Sequence, residues 1–116
     1  MTELRQRQGK PYRNKKHLQW VAQQPCMICY AHAQCHHLLR PWIGPKHGTG
    51  MRCDDRNGVP LCPTHHRALH DRGDEDAWFF ESPYRNESAG RGEAERLWLA
   101  SPYGARLDQT EKPEWP

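Results

Sequence analysis

Two short clusters of cysteine and histidine constrain this chain more than any other feature. They are a CxxC pair and a CxxH pair, formed by Cys26, Cys29, Cys62 and His65. Paired spacings of this kind are typical of a closed structural zinc site, in which each pair forms a turn and the segment between them loops out. The pattern predicts a structural zinc on these four side chains, with Cys35 or Cys53 as alternatives to His65 for the fourth ligand.

The composition favours metal binding over disulfide bonding. The 116 residues include five cysteines, an odd number, and eight histidines, and no apolar export signal begins the chain. Hydrophobic residues are 35% of the chain, against about 45–50% in typical domains, so a cross-linking metal would replace part of the core. We therefore expect one domain that folds poorly without its metal.

The charge is divided unevenly along the chain. Residues 1–70 contain 11 Lys/Arg and 3 Asp/Glu, a net charge of +8. Residues 71–116 contain 6 Lys/Arg and 11 Asp/Glu, a net charge of −5, and the two sum to +3. A basic half that also holds the metal ligands favours a polyanionic partner, because Lys and Arg contacts to phosphates provide sequence-independent affinity. No run of about 18 apolar residues is present, so we expect no membrane contact and a cytoplasmic protein.

The sequence predicts three parts. These are a flexible basic arm at 1–14, a domain at 15–101 with its core at 25–72 and C-terminal helices at 74–101, and a tail at 102–116. Periodicity, proline and glycine positions predict helices at 15–24, 63–71, 74–81 and 93–100, strands at 33–39 and 57–61, and an irregular loop at 40–56. Helix 63–71 would place His66 and His70 one turn apart, where both can meet a single ion.

A second set of residues resembles the HNH endonucleases. The stretch His36-His37, then Asn57-Gly58-Val59-Pro60-Leu61-Cys62, then His65-His66 and His70 carries the resemblance. The three letters of the motif are His37, Asn57 and His66. The resemblance extends over residues 15–72 and is greatest to small phage and prophage HNH proteins, whose glycine-rich loop is matched by Lys46-His47-Gly48-Thr49-Gly50.

The resemblance implies a fold and a set of roles. The fold is the ββα-metal fold, two strands and a helix around one divalent ion, here as a small zinc-stabilised α+β domain with flanking helices. His37 would be the general base in DNA phosphodiester hydrolysis, giving 5′-phosphate and 3′-hydroxyl ends. His36, His66 and His70 would bind the catalytic ion, as in colicin-type nucleases, and Asn57 would hold the loop that aims the base.

The identity of the catalytic ion stays open between Mg²⁺, Mn²⁺, Ni²⁺ and Zn²⁺. Magnesium prefers oxygen ligands, whereas three imidazoles suit a transition metal. Many HNH enzymes have aspartate at the position of His36. Because this chain has histidine there, the resemblance does not identify the ion.

DNA is the expected partner. Candidate phosphate contacts are Arg40, Lys46, Arg52, Arg56 and Arg67. The acidic C-terminal half is a candidate surface for a second partner, such as a phage recombination or packaging protein. Trp42 is expected in the core, Cys35 and Cys53 as free thiols, and His17, His32 and His47 as surface histidines.

Two other functions remain open. One is a non-catalytic zinc module that binds DNA or serves as an adaptor, although such a module has no reason to combine a base with three further imidazoles. The other is an RNA-cutting or colicin-like toxin, for which no receptor or translocation segment is visible.

Overall fold

The computed structural model describes residues 11–45 and 52–104 of the chain. Its elements are helix α1 (Lys15–Ala22), strand β1 (Gln34–His37), a 3-10 turn (Asp55–Asn57), strand β2 (Gly58–Leu61), and helices α2 (Pro63–Arg72), α3 (Glu75–Glu81) and α4 (Ala89–Ala100). This is a small α+β arrangement, as the sequence predicted. None of the helices in these two ranges is long and apolar enough to cross a membrane.

The two strands form an antiparallel pair that starts with Gln34 opposite Leu61 and ends with His37 opposite Gly58. β1 ends earlier than predicted because the next backbone groups find other partners: the Leu39 N–H donates to the Glu75 side chain at 3.0 Å. The residue opposite His37 must be small, since a Cβ on Gly58 would lie 2.6 Å from the Cys35 sulfur.

Helix α2 is bounded by local signals. The Cys62 sulfur accepts from the His65 N–H at 3.5 Å, Pro63 occupies the first turn, and Gly73 ends the helix in a left-handed conformation with φ of 77°. Helix α1 ends two residues before the predicted boundary, because the Gln24 N–H bonds to the Val21 carbonyl three residues back at 3.0 Å and tightens the last turn.

Helix α4 begins at Ala89, four residues before its predicted start. Gly90 and Gly92 lie in its first turns. Because glycine is a poor helix former, the sequence does not predict that the helix begins here. Tertiary packing explains Gly90: a Cβ there would lie 2.6 Å from the Phe79 ring. The core around this contact is formed by Cys26, Met27, Ala33, Leu38, Val59, Leu61, Cys62, Leu69, Phe79 and Ala94.

Residues beyond both ends of the predicted domain also form hydrogen bonds. The Tyr12 N–H donates to Asp54 at 2.9 Å and the Asn14 N–H to Asp55 at 2.8 Å, so these two residues, in the predicted arm, are bonded to the segment before β2. At the other end Gly104 is buried, with its N–H donating to the Ser101 hydroxyl. Residues 1–10, 46–51 and 105–116, including the rest of the predicted arm and tail and the glycine-rich loop, lie outside the described residues.

His17 is buried, which corrects its expected place on the surface. Its side chain is 0% exposed, with ring centroids 4.9 Å from Trp98 and 6.0 Å from Tyr103. In the described part of the chain, neither ring nitrogen has a hydrogen-bond partner. Burial lowers the pKa of His17 to about 4, against the opposing attraction of Asp55 and Asp54. Helix α1 is thus fixed to the domain by an uncharged imidazole.

Candidate metal centres

The four predicted zinc ligands converge on one point, with ligand atoms all within 4.8 Å of one another. The sulfurs of Cys29 and Cys62 are 3.8 Å apart, and His65 Nδ1 lies 3.4 Å from the Cys62 sulfur. Tetrahedral zinc, with Zn–S of about 2.3 Å and Zn–N of about 2.0–2.1 Å, separates two sulfurs by about 3.8 Å and sulfur from nitrogen by about 3.6 Å. The cluster fits a metal ion such as zinc.

Local backbone geometry builds this cluster. The turn that carries Cys26 and Cys29, here called the knuckle, is closed by a hydrogen bond from the Cys26 N–H to the Ala31 carbonyl at 2.8 Å. A hydrogen bond from the Met27 N–H to the Pro60 carbonyl at 3.0 Å connects the knuckle to β2. Burial alone would raise the pKa of the Cys26 thiol, but hydrogen bonds from backbone groups, Ile28 among them, lower it to about 6. The thiolate, which is the metal-binding form, is therefore favoured.

The alternative fourth ligands are not part of this cluster. Cys35 and Cys53 lie outside the group that contains His65. Burial raises the pKa of the Cys35 thiol to about 12, so it stays protonated. Cys53 is buried, and its sulfur lies 3.6 Å from the Leu39 carbonyl oxygen as a hydrogen-bond donor.

A second group consists of His36 from β1 with His66 and His70 from α2, and their ligand nitrogens also lie within 4.8 Å of one another. His36 Nδ1 is 3.1 Å from His66 Nε2. Two imidazole nitrogens bound to one ion at about 2.1 Å are separated by about 3.0 Å in octahedral and about 3.4 Å in tetrahedral geometry. Burial, and then the neighbouring His36 and His70, lower the pKa of His66 to about 4, so its ring is neutral as a ligand must be.

Two further side chains hold these imidazoles from behind. His36 Nε2 lies 2.9 Å from the Glu75 carboxylate, which is itself 5% exposed. The Gln34 amide nitrogen lies 2.6 Å from His66 Nδ1. Turned by about 180° about its last bond, the amide would present its oxygen there, accept the Nδ1 proton and leave His66 Nε2 for an ion. Hydrogen bonds to the far nitrogen fix the ring orientation and tautomer of metal-binding histidines. With Nε2 of His36 protonated toward Glu75, its Nδ1 is left free for an ion.

The three-histidine group is open to solvent on one side. His36 is buried, His66 is partly buried and His70 is exposed. A depression of about 510 Å³ adjoins the group and is lined by Gln34, Pro63, Thr64, His66, Arg67 and His70. Three protein ligands beside an open position are typical of catalytic rather than structural metal sites.

His37 is not part of this group. It shares a face of β1 with Cys35, and its Nε2 lies 2.9 Å from Asp55 Oδ1. Burial lowers the pKa of His37 below its ordinary value, although the hydrogen bond to Asp55 opposes the shift. The ring is therefore neutral and fixed by a carboxylate, and its role as a base stays a prediction.

Asn57 makes the contacts expected of a residue that holds a loop. It is 0% exposed. Its Oδ1 accepts from the Trp42 N–H at 2.7 Å, and its Nδ2 donates to the carbonyls of Ile43 and Asp54, each at 3.0 Å. Trp42 packs against the core as predicted. Asn57 thus ties the segment after β1 to the turn before β2.

The basic residues predicted to contact phosphates differ in their exposure and in their partners within the protein. Arg56 pairs with Asp54, with its Nη2 and Nε lying 2.6 and 2.9 Å from the two carboxylate oxygens, and its role as a phosphate contact stays a prediction. Arg40 is 71% exposed and 3.4 Å from Asp76. Arg52 and Arg67 are exposed, and Arg67 borders the three-histidine group. Lys46 lies outside the described residues.

Sequence reasoning missed the carboxylates that support the histidines. Glu75 is in the first turn of α3, where an acidic residue is ordinary because it complements the helix dipole. Asp55 occurs in an aspartate pair that resembles turn sequence. Neither position carries a sequence signal of its contact with a histidine, since His36 and Glu75 are 39 residues apart.

Comparisons with known proteins give a family without an assigned activity. The family model described as "Protein of unknown function (DUF968)" matches residues 3–87. A similar curated protein is "Uncharacterized protein YdfU" of Escherichia coli (strain K12), 35% identical over 74 residues, which are 63% of this chain. The match covers 19% of that protein, so the chain spans about a fifth of the relative's length. No solved structure matches the chain.

Proposed function

We propose that this chain, which belongs to the DUF968 family, is a metal-dependent endonuclease of the HNH type that hydrolyses DNA phosphodiester bonds. The observation that carries the proposal is the convergence of His36, His66 and His70 beside an open depression. A structural role alone would not require a second group of imidazole ligands that is solvent-accessible on one side.

The order of elements supports a ββα-metal arrangement. β1 supplies His36, β2 returns antiparallel to it, and α2 supplies His66 and His70. The structural cluster joins the knuckle before β1 to the start of α2 through Cys62 and His65. A zinc there would keep strand and helix in the relation that the three-histidine group requires.

The protein's side chains divide the chemistry among them. His36, His66 and His70 would hold a divalent ion, which would supply Lewis acidity to the scissile phosphate. His37, neutral at physiological pH, accepts the proton of the attacking water. Glu75 and Gln34 hold the ligand rings in place, and Asn57 fixes the turn beside His37.

DNA is the proposed substrate because the half of the chain with both metal groups has a charge balance of +8. Arg67 borders the open depression and Arg52 is exposed on the loop before the 3-10 turn. These two arginines are the proposed phosphate contacts, and the acidic half remains the proposed surface for a protein partner.

The test is cleavage of supercoiled plasmid by wild type, His37→Ala and His66→Ala, with magnesium, manganese, nickel or zinc added. His32→Ala is the matched control, because His32 is an exposed histidine outside both groups. We expect metal-dependent nicking by wild type and the control, and a loss of at least about 10²-fold in each of the other two. Zinc content and circular dichroism in the same samples separate loss of the catalytic ion from loss of the fold.

Cutting by His37→Ala at the wild-type rate would refute the base, and cutting by His66→Ala would refute the ion site. DNA binding without cutting under every metal would favour the non-catalytic zinc module.

A further inference from the structure

Asp55 is the centre of a hydrogen-bond network beside His37. Its Oδ1 lies 2.9 Å from His37 Nε2 and 3.0 Å from Arg13 Nη1, and its Oδ2 accepts from the Asn14 N–H at 2.8 Å. Burial alone would raise the pKa of Asp55, but these hydrogen bonds lower it below the ordinary value. Asp55 is therefore an ionised carboxylate, although the residue is only 2% exposed.

An ionised carboxylate accepts hydrogen bonds and cannot donate them. The 2.9 Å contact therefore requires that His37 carry its proton on Nε2. In a neutral imidazole the other nitrogen then keeps its lone pair, so Nδ1 is the ring atom of His37 that can accept a proton.

The network also fixes where Asp55 itself lies. The Arg13 guanidinium bonds to the carbonyls of Cys53 and Arg52 at 2.7 and 3.0 Å as well as to Asp55. The Asp55 N–H donates to the Tyr12 carbonyl at 2.9 Å. The carboxylate is thus held by the segment before α1 on one side and by its own turn on the other.

We propose that Asp55 is the positioning residue of His37, holding the imidazole in the Nε2–H tautomer and directing Nδ1 to the attacking water. This inference rests on the proposed function, since it concerns the same base. The logic is that of a carboxylate beside a catalytic histidine: it orients the ring and stabilises the imidazolium that forms, without taking the proton itself. Residues 12–14 would then serve catalysis by fixing Asp55.

Asp54 provides a matched control on the same turn. It is a fully buried carboxylate that accepts from the Tyr12 N–H at 2.9 Å and the Arg56 N–H at 2.8 Å. Its side chain is held by hydrogen bonds as that of Asp55 is, but among the described residues its hydrogen-bond partners are Tyr12 and Arg56 and not His37. Any effect of general loosening of this turn should therefore appear in Asp54→Asn as well as in Asp55→Asn.

The experiment has a spectroscopic and a kinetic part. Ring ¹⁵N shifts from long-range ¹H–¹⁵N correlation, assigned with His37→Gln, report the tautomer of His37 in the wild-type protein and need no stable Asp55 variant. Single-turnover cleavage and DNA affinity are then compared for wild type, Asp55→Asn and Asp54→Asn. We expect the Nε2–H pattern in wild type and in Asp54→Asn and its loss in Asp55→Asn. The cleavage rate of Asp55→Asn should fall by about 10²–10⁴-fold, the usual contribution of a positioned general base, with unchanged DNA affinity.

A wild-type spectrum with the proton on Nδ1 would overturn the proposal, as would an Asp55→Asn protein that cuts as fast as wild type. An equal loss of cutting in Asp54→Asn would assign Asp55 a merely structural role and overturn it too. A wild type with the Nε2–H pattern that cuts no DNA under any of the four metals would instead refute the nuclease itself, and leave Asp55 without a base to position.

Discussion

Replacing His17 with leucine should make the protein less sensitive to acid. The folded protein holds His17 with a pKa of about 4, against 6.5 for the unfolded chain. Because the folded pKa is the lower one, the unfolded state takes up a proton as the pH falls below about 6.5, while the folded state does not until about pH 4. His17 therefore costs stability across that window and nearly nothing above it.

The magnitude follows from the two pKa values. Linkage gives a loss of about 0.1 kcal/mol at pH 7.5 and about 2 kcal/mol at pH 5, with a limit of about 3 kcal/mol at lower pH. Leucine is close to histidine in volume and has no ring nitrogen to leave unpaired in this fully buried site. The difference in unfolding free energy between His17→Leu and wild type should therefore grow by about 2 kcal/mol between pH 7.5 and pH 5.

Urea unfolding of the zinc-loaded protein at the two pH values measures this difference. His32→Leu is the control, because His32 is exposed, and its stability should follow that of wild type. Parallel loss of stability in wild type and His17→Leu between pH 7.5 and pH 5 would refute the argument, since it would show that His17 takes up its proton equally well in the folded state.

Two further changes test the metal groups separately. Cys62→Ala should abolish zinc binding and cooperative unfolding, because a structural zinc contributes about 10–16 kcal/mol, comparable with the whole stability of a domain. Cys35→Ala should keep its zinc, and a zinc-free but fully folded Cys62→Ala would contradict the structural role. Glu75→Gln should weaken metal binding at the three-histidine group by about 10–100-fold in competition titrations, while leaving the zinc content unchanged. Unaltered affinity there would show that Glu75 does not hold His36.

The four-residue cluster that could hold a metal ion such as zinc was predictable from the sequence because its members come in local pairs. Cys26 with Cys29, and Cys62 with His65, are each three residues apart, and such spacings determine short knuckles almost independently of the rest of the fold. The same holds for His66 and His70, which one helical turn brings together. Only the choice of His65 over Cys35 or Cys53 required the tertiary structure.

The ends of helices and strands, and the surroundings of single residues, were harder to predict from the sequence. Helix α4 begins among glycines that propensity disfavours, and it does so because Gly90 fits against Phe79. His17 was expected on the surface, yet it is buried beside Trp98. In both cases packing against a distant element overrides the local signal.

The sequence by itself determined the α+β class, the four ligands that could hold a zinc, and the set of histidines from which a second metal group could form. The tertiary structure decided which histidine faces which carboxylate: His36 meets Glu75 across 39 residues, and His37 meets Asp55 across 18. Periodicity and spacing describe neighbours along the chain, whereas these contacts depend on how α3 and the 3-10 turn pack against β1. The protonation and orientation of the histidines, and hence the chemistry proposed for them, are set by those long-range contacts.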